Sequence, residues 1–254
     1  MKMYRSLISV LSFFVPALIF AQKTYTLEVG QFEKIKVNSN INVVYKNIPD
    51  STGFARYSAP EGMDDLFILS TKGNGTLKIQ LAQTQWDNPD FPTVYVYSDF
   101  LSSVESSSDR QVYIESLAPC AALSINQIGN GTIIVDNVKC NNLSASITTG
   151  NGTINISGRC VNASFRMLGA GLISADRLAA DNVKCSIMGT GSIGCWPIDN
   201  LQVKGLGTTK IYYKGKPNIK KSGGGKLFEL PAEGLSDSQK TGTSVSSFNQ
   251  PEQE

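Results

Sequence analysis

The sequence predicts an all-β chain folded as a parallel β-solenoid with rungs of about 20 residues. Three observations carry that prediction. A frame of Gly, any residue, usually Gly, any residue, then Ile or Leu recurs at Gly73, Gly129, Gly150, Gly169, Gly189, Gly207 and Gly223. Between these glycines the apolar residues alternate at period two, as in Ile133/Val135 and Leu143/Ala145/Ile147, the pattern of half-buried strands. Charged residues make up only 17% of the chain, and Asn, Ser, Thr and Gly crowd its middle, which suits a turn-rich β protein rather than a helical one.

Residues 1–21 read as a secretory signal peptide, with Lys2 and Arg5 ahead of an apolar run from Leu7 to Phe20 and a small residue, Ala21, at the cut. That run falls short of the roughly 18 to 20 residues that span a bilayer, and Pro16 interrupts it. No stable membrane span is expected. The mature chain is expected to be exported through the inner membrane, to the periplasm, the outer-membrane surface or the medium.

Residues 22–107 form an N-terminal β segment of weaker periodicity, read as a cap or as divergent rungs; solenoid ends need covering because a bare rung is an unpaired edge. Its strand-like runs are "FEKIKVNSNINVVYKN", "LFILSTKGNGTLKIQLAQ" and "PTVYVYS", with "QTQWDNPDFP" (Gln83 to Pro92) as a polar loop. Residues 108–228 carry the regular repeat. It starts at a half-preserved copy, "SDRQV" at Ser108, and from Gly129 the intervals are 21, 19, 20, 18 and 16 residues. Each copy supplies two short strands that bury nothing alone but share a core when stacked. The corner glycines are expected to turn the chain at positive φ. A β-sandwich of hairpins is the alternative, because Asn-Gly is also a hairpin signal. Residues 229–254 are poor in apolar residues and are expected to be a disordered tail.

Little in the chain points to chemistry. "GTGSIG" (Gly189 to Gly194) matches the spacing of a dinucleotide loop, but Pro197 and the alternation Leu201/Val203 oppose the helix such a loop needs, and sister copies lack the third glycine. Calcium-binding rolls place Asp in their turns, whereas these corners hold Asn, Thr, Ala and Ser, so no metal and no cofactor is expected. The chain contains no His, which removes the commonest general base and the Ser-His-Asp arrangement. The acids of the repeat are Asp136, Asp176, Asp181 and Asp199, each read as a solvated corner residue. No enzyme is expected; a glycan-active β-helix enzyme is the remote rival.

Against those four acids the segment 116–228 holds twelve bases, a local excess of +8, although the whole chain carries only +2. Lysines along strands discourage edge pairing. They also suit acidic glycans, and Lys214, Lys216, Lys220 and Lys221, the densest run, are the candidate polyanion-binding residues. Nucleic acid is not expected. Asn-x-Ser/Thr triplets at Asn74, Asn130, Asn142, Asn151, Asn155 and Asn162 read mostly as turn chemistry. Cys120, Cys140 and Cys160, spaced by twenty, predict a ladder at rung spacing, as one disulfide with a thiol left over or as stacked thiols.

The opening "F-x-x-I-x-V" at Phe32, Ile35 and Val37, the serial G-x-G-x-I corners and the closing "IYYKGKPNIKKSGGG" (Ile211 to Gly225) resemble the bacterial putative auto-transporter adhesin family with a head GIN domain, a domain of unknown function common in Bacteroidetes. The likeness covers about Phe32 to Leu227 and departs at Ser108–Val112, where both glycines are missing, and at Thr209; distorted rungs are expected there. The resemblance implies an exported, right-handed β-helical protein with an adhesin role. Its partner would be a cell-surface glycan or an envelope protein, and a homo-oligomer is left open. A purely structural envelope protein is the competing reading.

Overall fold

The computed structural model describes residues 22–82, 91–206 and 209–231; the segment read as a signal peptide, most of that read as a polar loop at 83–92, and all but the first residues of that read as a tail lie outside them. In chain order the strands are β1 Lys23–Glu28, β2 Lys34–Val37, β3 Val43–Lys46, β4 Phe54–Ala59, β5 Phe67–Lys72, β6 Thr76–Leu81, β7 Val94–Tyr97, β8 Ser103–Ser106 and β9 Gln111–Ile114. There follow β10 Cys120–Gln127, β11 Thr132–Ile147, β12 Thr153–Met167, β13 Leu172–Ile187, β14 Ser192–Gly205, β15 Lys210–Tyr213, β16 Asn218–Gly223 and β17 Lys226–Glu229. They stack as a β-solenoid of about six turns with rungs about 20 residues apart.

Two parallel walls enclose the core. The first runs β6, β2, β8, β10, then the second halves of β11 to β14, then β16. The second runs β7, β3, β9, the first halves of β11 to β14, then β15 and β17. Every pairing from β8 onward is parallel, which excludes the sandwich of hairpins. Only the N-terminal end carries antiparallel neighbours: β5 lies on β6, β4 on β7, and β1 on β4. Chain order is not stacking order there, because rung β2/β3 sits between rungs β6/β7 and β8/β9.

Alternation does what the sequence predicts. In the second wall Val112, Ile133, Ile154, Ile173, Ile193 and Ile211 form one inward column, each fully buried. Size varies within columns so that the interior fills: buried Phe165 lies between Ala145 and Cys185 in its column, with Ala163 beside it on its own rung. The Ser108 rung, which lacks both glycines, keeps regular register, with Gln111 to Ile114 opposite Thr132 to Val135. The buried Ser108 hydroxyl donates to the Ile41 carbonyl and accepts from the Arg110 amide, which satisfies that corner without a glycine.

The glycines differ from expectation in their reason. Of the ten in G-x-G corners from Gly73 to Gly191, only Gly75 and Gly150 have positive φ. Of the remaining eight, Gly73 meets nothing, and the rest face contact between rungs: a Cβ on Gly169 would stand 2.6 Å from the Gly150 carbonyl oxygen, and one on Gly171 or Gly191 would overlap the backbone of the rung beneath. At Gly169, Gly171 and Gly191 backbone stacks on backbone, and no side chain fits between the rungs.

The C-terminal end is guarded by charge. All six residues of β16 are exposed, and Lys221 occupies the column that Cys185 and Val203 fill inside the stack. A lysine at an inward position of the last rung opposes docking of a further strand.

Candidate functional site

The first wall presents its outward residues in straight columns, because in-register parallel rungs repeat each position about every 4.8 Å. One column reads Ala122, Asn142, Asn162, Asn182, Asn200, Asn218. Its amides are linked: Asn162 Nδ2 donates to Asn142 Oδ1 at 3.1 Å, Asn182 Nδ2 to Asn162 Oδ1 at 3.1 Å, and Asn200 Nδ2 to Asn182 Oδ1 at 2.8 Å. Each link uses one of two N–H donors, so every amide keeps a second donor for a ligand, and chaining fixes its rotamer. The adjacent column reads Ser124, Ser144, Ser164, Lys184, Gln202, Lys220.

Together the two columns line a groove of about 760 Å³ whose floor includes Leu143, Ala163, Val183 and Leu201. From Ala122 to Asn218 it runs five rung spacings, roughly 24 Å. Its lining holds Lys184 and Lys220 and no carboxylate. Such a surface offers evenly spaced neutral donors and acceptors over an apolar floor, with positive charge toward one end.

The acids are elsewhere. Asp136 accepts from the Tyr113 hydroxyl at 3.1 Å and from Ser157 Oγ at 3.0 Å, and Asp181 pairs with Arg159 at 3.1 Å. Asp176 corrects the reading of four solvated corners: it is buried and accepts from Ser174 Oγ at 2.8 Å, because that hydroxyl stands two residues earlier on the same strand.

The four candidate lysines, close together in sequence, divide among four places. Lys214 lies over the Trp196 ring, 5.4 Å from its centroid. Lys216 follows Gly215, whose positive φ turns the chain from one wall to the other. Lys220 enters the groove, while Lys221 takes the inward column at the end of the stack. The asparagine column escaped the sequence reading, since Asn142 and Asn162 head Asn-x-Ser triplets that read as turns; both sit on strands. Its signal was there: Asn142, Asn162, Asn182, Asn200 and Asn218 recur at the rung interval, each just before an inward apolar residue.

Cys120, Cys140 and Cys160 are in register on neighbouring strands, and all five cysteines are free thiols. Cys140 is pushed up by its hydrogen bond to Cys160 and by burial, whereas that same bond lowers Cys160. Among the described residues, no group of three or more His, Cys, Asp or Glu side chains could hold a metal ion, and no helix is long and apolar enough to cross a membrane.

Solved structures share this architecture. A putative adhesin from Bacteroides fragilis is 23% identical with a TM-score of 0.74, covering 83% of this chain and 97% of its own. A putative lipid binding protein from Parabacteroides distasonis (22%, 0.66) covers 83% and 97%, and a putative adhesin from Parabacteroides merdae (23%, 0.64) covers 83% and 96%. At these identities the likeness is one of fold. No curated protein matches the chain. The family described as putative auto-transporter adhesin, head GIN domain, matches residues 31–217, most of the described structure, and the chain belongs to that family.

Proposed function

We propose that this protein is a non-catalytic binding module of the cell envelope that holds an extended acidic glycan in the groove of the first wall. The observation that carries the reading is the linked asparagine column beside Lys184 and Lys220, in a lining without carboxylates. Asparagine amides satisfy sugar hydroxyls as donor and acceptor at once, and a rung spacing close to the length of one pyranose lets successive sugars meet successive amides. The lysines select for carboxylate or sulfate on the chain. Glycoside hydrolysis needs two carboxyl groups flanking one bond, and none lines this groove. The basic start and short apolar run of residues 1–21 support export, and family membership supports a role in surface recognition.

The test is calorimetric titration of the mature protein with a hexameric polygalacturonate and with a neutral hexasaccharide, at low and high salt. The acidic chain is expected to bind more tightly and to weaken as salt rises. Lys184→Gln and Lys220→Gln are each expected to weaken it by roughly two- to fivefold, the range for exposed charge pairs. No binding at either salt, or binding indifferent to both lysines, would overturn the proposal in favour of a purely structural envelope protein.

A further inference from the structure

The first wall ends, beside the glycine corner, in an outward column of a different character. Thr148, Leu168, Met188 and Leu206 occupy equivalent positions on successive rungs, as their amide bonds to Gln127, Ile147, Met167 and Ile187 show. Exposure climbs along it: Leu168 is 39% exposed, Met188 65% and Leu206 73%. Three large apolar side chains in a row, increasingly bare toward one end, are not what a solvated corner requires.

Charge surrounds this ridge with one sign. The neighbouring outward column of the first wall carries Arg166 and Lys204, and across the corner the first outward column of the second wall carries Lys210 and Lys226, all exposed. None of the four is in an ion pair among the described residues. The carboxylates of these rungs, Asp176, Asp181, Asp199 and Glu229, lie toward the other corners, away from the glycine turns.

We propose that the Leu168–Met188–Leu206 ridge docks the protein onto the surface of a bilayer containing anionic lipid, the apolar side chains entering between headgroups while the flanking bases meet lipid phosphates. Shape decides the occupant. A single file spanning two rung spacings, roughly 10 Å, is far too narrow for a stable protein interface, which buries about 800 Å² per partner. It is well suited to insertion at a headgroup boundary, where binding combines apolar burial with attraction of basic side chains to anionic lipid. The site is separate from the asparagine column and does not rest on the glycan reading.

The experiment is co-sedimentation of the full mature chain with phosphatidylcholine vesicles and with vesicles containing phosphatidylglycerol. Binding is expected to the anionic vesicles and to be weak on the neutral ones. Met188→Ser with Leu206→Ser, at positions exposed enough to leave the fold intact by circular dichroism, is expected to lose at least tenfold in partitioning. Lys204→Gln and Lys210→Gln should each cost roughly fivefold, the effect of one base near an anionic surface. Polygalacturonate binding should be unchanged in the serine variant, which separates this proposal from the groove. Absence of binding to anionic vesicles overturns it, as does a serine variant that binds like the parent, since adsorption would then be a matter of charge alone.

Discussion

Gly169→Ala places a methyl group 2.6 Å from the Gly150 carbonyl oxygen, against an ordinary contact of about 3.5 Å. That oxygen belongs to backbone and already accepts from the Ala170 amide at 3.1 Å, so it cannot swing aside as a side-chain tip would. Relief requires the rungs to part by the better part of an ångström, which also stretches the Leu172 amide bond to Gly152, now 3.0 Å. Overpacking costs about 1 to 3 kcal/mol and each weakened hydrogen bond about 1 kcal/mol, so a loss of roughly 2 to 4 kcal/mol is expected. For a domain of this size that lowers Tm by roughly 4 to 16 °C. Gly73→Ala is the control: nothing lies within 4 Å of its Cβ and its φ is not positive, so its Tm should hold or rise slightly. Calorimetry of the three proteins decides the matter. Equal melting temperatures, or equal losses in both variants, would refute the claim that glycines serve rung contact.

Two further outcomes follow from buried groups. Burial pushes the Tyr45 phenol up to about 12, so its contribution is intact below pH 10 and is lost as pH rises through 12, because the unfolded chain ionises first. Unfolding free energies from denaturant titrations should therefore fall between pH 10 and 12 by about 2 kcal/mol more for the parent than for Tyr45→Phe, and parallel curves would refute this. Iodoacetamide at pH 8.5 should label half-exposed Cys120 first, while buried Cys185 and Cys195 react only after unfolding; peptide mass spectrometry that finds Cys195 labelled as fast as Cys120 would contradict the packing.

The repeat made most of the solenoid legible, since strand alternation and a corner every 20 residues are local signals that stacking only amplifies. What was hidden depends on which rung lies beneath. A sequence cannot distinguish a glycine demanded by positive φ, such as Gly75, from one demanded by a neighbouring carbonyl, such as Gly169. It does not reveal that β2/β3 is inserted between rungs that follow it in the chain. The lysine run divides for a related reason, since the turn at Gly215 carries the chain from one wall to the other and parts Lys214 from Lys220. The asparagine column was visible as spacing, but it becomes a candidate site only when rungs align and the amides chain together.

The groove itself is tested most directly by following side-chain amide resonances in the mature protein during titration with hexameric polygalacturonate. The Nδ2 signals of Asn142, Asn162, Asn182 and Asn200 are expected to shift together, with saturation at one concentration. Shifts confined to other faces while these four stay fixed would contradict the account.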